Sequence, residues 1–117
     1  MKYFNYAEFD SPDLPGSGVE MQGNFLSMLD EARGIAGIPF KITSGYRTEA
    51  RNKKVGGVPS SAHVKGLAAD IACTDSTKRM MIVRALLEVG FTRIGIADTF
   101  IHVDNDISKP QGVIWLY

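Results

Sequence analysis

Apolar residues recur at helical spacing from about Glu20 to Ala36, at Met21, Phe25, Met28, Leu29, Ala32, Ile35 and Ala36, and Gly37 with Pro39 supplies a stop. This pattern predicts an amphipathic helix packed on a core. Pro39–Thr43 alternates as a short strand, Ser44-Gly45-Tyr46-Arg47 leaves it in a turn, and Thr48 caps a short helix reaching about Val55. Gly56–Ser61 is a loop by composition. Leu67–Ala72 reads as a strand interrupted by Asp70, a carboxylate among apolar neighbours that demands a partner. Asp75 caps a second long helix, about Ser76–Val89, with Met80, Val83, Leu86 and Leu87 on its apolar face and Gly90 past its end. Three strands follow, about Arg93–Ala97, Phe100–Val103 and Val113–Leu116. Residues 1–19, punctuated by Ser11-Pro12, Leu14-Pro15-Gly16 and Gly18, are expected to be an ordered arm without a regular element.

This order of elements predicts an α+β domain, a small mainly antiparallel sheet with helices packed on one side. A chain of 117 residues suits one domain with one hydrophobic core, spanning 1–117. Its 44% apolar and 22% charged residues are those of an ordinary globular protein, and no apolar run is long enough to span a bilayer. Thirteen basic residues balance thirteen acidic ones, which argues against nucleic acid or an anionic membrane surface as a partner. A monomer is expected. The opening Met1-Lys2-Tyr3-Phe4-Asn5-Tyr6 lacks the features of a signal peptide, so the expected location as synthesised is the cytoplasm. The single cysteine, Cys73, fits a reducing compartment and follows an apolar stretch, as a small buried core residue does.

The chain has two histidines. His63 follows a Gly/Ser loop and precedes the isolated Asp70; His102 lies in the apolar run Phe100-Ile101-His102-Val103. Taken singly, such histidines are usually structural. Two His and one Asp are also a standard ligand set for a catalytic zinc ion with one open position. Spacing alone leaves both readings open.

Three segments decide between them: Ser44-Gly45-Tyr46-Arg47, then Gly56-Gly57-Val58-Pro59-Ser60-Ser61-Ala62-His63-Val64-Lys65-Gly66-Leu67-Ala68-Ala69-Asp70-Ile71, then Phe100-Ile101-His102-Val103-Asp104. Together they resemble the M15 metallopeptidases, the zinc D-alanyl-D-alanine carboxypeptidases and their relatives. The signature of Ser-x-His, a Gly, and an Asp at the seventh position after the His is matched at Ser61, His63, Gly66 and Asp70, and the resemblance covers about residues 20–117. It implies that His63, Asp70 and His102 hold zinc, that Arg47 and Ser61 face a substrate, and that a peptide bond next to a D-amino acid in peptidoglycan is hydrolysed. A wall hydrolase synthesised without a leader suits a phage or prophage lysis protein released by a holin or another route.

The general base is less defined. In the dipeptidase branch of that family a carboxylate stands three residues before the last His ligand, where this chain has Thr99. Asp104 matches the His-x-Asp branch and is the chosen site carboxylate, as proton shuttle or as orienter of a ligand or of Arg47; strand periodicity keeps Asp98 as the alternative. Tyr46, Trp115 and Tyr117 are expected by default to pack in the core or at the rim, with lining of a substrate groove as the alternative. Thr99 also motivates a reading from another class, a zinc-stabilised binding domain without turnover, since the hedgehog amino-terminal domain has a similar zinc site.

Overall fold

The strands alternate between two chemistries, and that alternation decides which face of the sheet meets the core. One set of alternate positions, Ala69 and Ile71, Ile94, Ile101 and Val103, is wholly buried. The other set carries Asp70, Arg93, Gly95, His102 and Asp104. In the computed structural model, which describes residues 1–117, these segments form β2 (Ala68–Ala72), β3 (Arg93–Ile96) and β4 (Phe100–Asp104). They are flanked by β1 (Ile42–Ser44) and β5 (Val113–Leu116) in a five-stranded sheet of order β1-β2-β4-β3-β5. The protein is α+β, and the sheet is mixed: β1–β2, β2–β4 and β3–β4 are antiparallel, and β5 runs parallel to β3. Residues 105–112 carry the chain past β3 to its far side, so β5 runs opposite to β4 without pairing with it.

Two helices cover the apolar face, α1 (Gly23–Ala36) and α3 (Ser76–Glu88). Phe25, Leu26, Leu29 and Ala32 of α1 join Ile82, Ala85 and Leu86 of α3 and the buried strand residues in one core. The face of α3 differs from the expected one: Met80 and Leu87 are half or more exposed, and Ile82 and Ala85 are buried instead. The packing partner of α3 is α1 as well as the sheet, which rotates the buried stripe away from the one the largest residues define. A short α2 (Glu49–Lys54) stands at the rim of the opposite face, with Thr48 Oγ1 accepting from Arg51 N as the expected cap. Asp75 likewise accepts from Lys78 N at the start of α3. No helix is long and apolar enough to cross a membrane.

The first nineteen residues are more structured than their turn-rich composition suggests. Tyr6–Phe9 and Ser17–Glu20 form single 3-10 turns, and Phe4 and Phe9 bury their rings in the core, 5.3 Å apart and edge to face. Asp30 on α1 accepts from the backbone of Lys2 and Tyr3, tying the start of the chain to that helix. α1 starts at Gly23, not at the expected Glu20. Gln22 N donates to Gly66 O, and Met21 is extended, so neither residue is free to continue a helix backward. Cys73 is buried in the core.

Candidate metal centre

The site lies on the polar face of the sheet, and strand register assembles half of it. Asp70 on β2 is the direct cross-strand partner of His102 on β4. Both side chains therefore leave the sheet on the same face, and His102 Nδ1 sits 3.0 Å from Asp70 Oδ1. His63 comes from outside the sheet, from a chain of tight turns over Ser61–Leu67 in which Leu67 N and Lys65 N both donate to Ala62 O. These turns close through Gly66, whose φ of 72° lies in the left-handed region and whose missing Cβ leaves room for the Glu20 carbonyl. The result brings His63 Nε2 to 3.4 Å from Asp70 Oδ1, with the two imidazole rings 5.2 Å apart.

His63, Asp70 and His102 are 3%, 8% and 7% exposed, and one donor atom of each falls within 4.8 Å of the others. Donors bound at about 2.0–2.2 Å around a tetrahedral ion stand roughly 3.3 Å from one another. The observed 3.0 and 3.4 Å match that spacing. The outer hydrogen bonds match as well. His63 Nδ1 is 2.8 Å from the Gly45 carbonyl, leaving Nε2 facing Asp70. His102 Nε2 is 2.7 Å from Asp104 Oδ2, leaving Nδ1 facing Asp70. Each imidazole thus has one nitrogen anchored and one turned to the common centre, as metal-ligating histidines do. These three residues fit a single divalent ion.

Electrostatics agree with this division. Burial opposes the charge on Asp70, but hydrogen bonds from His102 and His63 outweigh it and hold the carboxyl well below the usual carboxylate range. Burial likewise opposes protonation of His102, and hydrogen bonding to Asp104 and Asp70 overcomes it, so its pKa is raised.

Asp104 is 1% exposed and both its oxygens are occupied. Oδ2 takes His102, and Oδ1 accepts from Arg93 Nε at 2.7 Å and from Asp106 N at 3.1 Å. Of the roles anticipated for Asp104, this geometry is that of an orienter of a ligand, and its contact is with His102 rather than with Arg47. Asp98 is exposed in the bend between β3 and β4, with its backbone carbonyl 3.5 Å from Arg79 Nη2. Arg93 is a site residue the sequence did not flag. Its signal was available: a cation at an alternate position of a buried strand, directly opposite Asp104 in the ladder.

A cavity of about 370 Å³ opens over the triad. Arg47 enters it with Nη2 3.9 Å from Asp70 Oδ2, steadied by Ser44 Oγ and Asn52 Oδ1. Asn52 is buried and donates to Val58 O, which ties α2 and the glycine loop to this arginine. Ser61 lines the same cavity and accepts from His63 N at 3.3 Å. Phe100 and Tyr117, rings 5.1 Å apart, form an aromatic wall, and Lys109 closes another side. Tyr46 packs partly buried against the core instead of entering the cavity.

Comparison with the curated proteins found no match. The family model described as peptidase M15 matches residues 2–104, a stretch that takes in the N-terminal arm, the cavity arginine and the complete His-Asp-His group. That match begins earlier than the resemblance read from the motifs and ends at the orienting carboxylate, before β5. Peptidases of this family are metal-dependent, and the chain that places two histidines and an aspartate around one centre belongs to the peptidase M15 family.

Proposed function

We propose that this protein is a zinc peptidase that hydrolyses a peptide bond adjacent to a D-amino acid in peptidoglycan stem peptides or crosslinks, as a carboxypeptidase or an endopeptidase. The observation that carries the reading is the convergence of His63 Nε2, His102 Nδ1 and Asp70 Oδ1 beneath a cavity that also receives Arg47. An ion held there supplies a Lewis acid for the scissile carbonyl and lowers the pKa of water at an open position, which suits amide hydrolysis without a covalent intermediate. Two imidazoles and one carboxylate are a donor set that would suit zinc and leave one position for water.

The protein's own groups do the rest. Arg47 presents a planar fork toward the space beside the triad, where it neutralises a substrate carboxylate or the charge that develops on the attacked oxygen. Ser61 offers a hydroxyl to substrate amides. Asp104 keeps the His102 ring turned so that Nδ1 faces the centre. The Ser-x-His, Asp and His-x-Asp motifs, shared with D-alanyl-D-alanine carboxypeptidases, support the peptidoglycan substrate. In that role the protein works outside the cytoplasmic membrane, as a monomer released by a holin or another route during phage lysis.

Zinc-loaded protein incubated with purified peptidoglycan fragments is expected to change their masses by loss of a residue or scission of a crosslink, and His63→Ala is expected to do neither. Intact fragments in the presence of one zinc per chain would sink the hydrolase reading. A second reading, a zinc-stabilised binding domain, draws on two observations: both oxygens of Asp104 are occupied, and Thr99 stands where the dipeptidase branch has a carboxylate. Loss of a measured turnover in Asp104→Asn at saturating zinc, with zinc still bound, would refute that second reading.

A further inference from the structure

One row of cross-strand partners traverses the whole sheet: Ser44, Asp70, His102, Gly95 and Trp115. Two members are ligands of the candidate metal centre, and the member next to His102 is a glycine. A Cβ at position 95 would lie 2.7 Å from Cε2 and Nε1 of the Trp115 indole. Only a bare backbone there lets the indole lean across β3 toward β4. The Trp115 ring reaches a centroid distance of 5.5 Å from the His102 imidazole, tilted by 50°.

The adjacent row pairs Asp104 with Arg93 and Arg93 with Val113. Arg93 is held on three sides, by Asp104 Oδ1 at 2.7 Å, by Pro110 O at 2.6 Å, and by the Trp115 ring, 4.9 Å from the guanidinium carbon. The rows therefore converge on one imidazole. Asp104, locked by Arg93, grips its Nε2 edge, and the tilted Trp115 indole packs beside the ring. An imidazole held at its two nitrogens, by Asp70 and Asp104, still rocks about the line between them; an aromatic ring packed beside it limits that rocking.

We propose that Trp115 and Arg93 are positioning residues which, with Gly95 making the space, form one brace that holds His102 in its ligating orientation and so sets the affinity of the centre. Trp115 lies outside the stretch matched by the family model. The brace makes β5 part of the metal site although it supplies no ligand. The inference rests on the reading of His63, Asp70 and His102 as a metal centre.

The test is a zinc titration against a chromophoric chelator on the full chain, with the visible spectrum of the cobalt-loaded protein as a report on ligand geometry. Trp115→Ala and Arg93→Met are each expected to weaken zinc by about 10–100-fold and to alter the cobalt bands. If they act as one brace, the double variant weakens binding by less than the product of the two single effects. Trp115→Phe, which keeps a ring beside His102, is expected to recover most of the affinity lost in Trp115→Ala. A merely structural role would lower the unfolding midpoint of the metal-free protein and leave zinc affinity and cobalt spectrum unmoved, and that outcome overturns the proposal. Should Trp115→Ala fail to fold, Arg93→Lys decides, since it keeps the charge and loses the fork: affinity within twofold of wild type overturns the brace. A wild-type protein that binds no zinc refutes the metal centre itself, a result distinct from either.

Discussion

Asp70 and Asp106 show how differently two depressed carboxyls work in one small protein. Asp70 stays ionised for a cation, whereas Asp106 is structural: Lys65 Nζ at 2.8 Å, Lys109 Nζ at 2.9 Å and Ser108 Oγ at 2.6 Å surround it, knotting the loop before β5 to the turns that carry His63. Burial opposes its charge, but the bonds from Lys65, Ser108 and Lys109 outweigh it and hold its pKa well below the ordinary 3.8. A depressed carboxyl adds stability that is present above its unfolded value and is lost as pH falls through the folded one. Asp106→Asn is therefore expected to cost about 2 kcal/mol in urea unfolding at pH 7, with the difference from wild type shrinking below about pH 4. His102 has the opposite sign. Its raised pKa adds stability to the metal-free protein that is full below about pH 6.5 and lost as pH rises through the folded value. Zinc needs the same ring unprotonated, so the apparent zinc affinity is expected to climb as pH rises above about 6.5 in chelator competition, and a flat profile would contradict this assignment.

At the scale of elements, the motif Ser-x-His followed by Gly and Asp is a piece of architecture. The turns of residues 61–67 place His63, Gly66 lets them pass beneath the start of α1, and β2 then delivers Asp70 in register with His102. Gly66→Ala meets both a left-handed backbone angle and the Glu20 carbonyl, and is expected to destabilise by roughly 2 kcal/mol or more, read as a lower thermal midpoint of the metal-free protein. Gly45 serves the same packing on the other side: its missing Cβ admits Phe9, whose Cα would lie 2.6 Å away, while its carbonyl holds His63 Nδ1. The N-terminal arm is thus a support for the site. Its turns were legible from proline and glycine, but its anchoring was not, because Phe4 and Phe9 have no periodicity and find their pocket only between α1 and the Gly45 turn. The irregular pairing of β1 with β2, where Ile42 opposes Ile71 and Ser44 opposes Asp70, likewise depends on contacts made across the sheet.

For the whole molecule, the metal is expected to be a stability term as well as a chemical one. An ion that binds only the folded chain stabilises it by about 2.7 kcal/mol at a free concentration one hundred times its dissociation constant. Chelation should lower the unfolding midpoint of wild type and leave that of His63→Ala unchanged, and equal midpoints with and without chelator in wild type would argue that no ion is held. Zero formal net charge gives the fold no long-range electrostatic anchor, so recognition of a substrate has to come from the cavity and its immediate rim. By itself the amino-acid sequence determined the α+β order of elements and the caps at Thr48 and Asp75, because periodicity and capping are local and survive in one dimension; the residues that meet at the centre were legible only through the resemblance of three motifs to a known family. Only the tertiary structure decided that β5 lies parallel to β3, which stripe of α3 is buried, and that Asp104 turns to Arg93 and His102. Those outcomes follow from which strands become neighbours, and a pairing between residues far apart in the chain leaves no periodic trace in either partner.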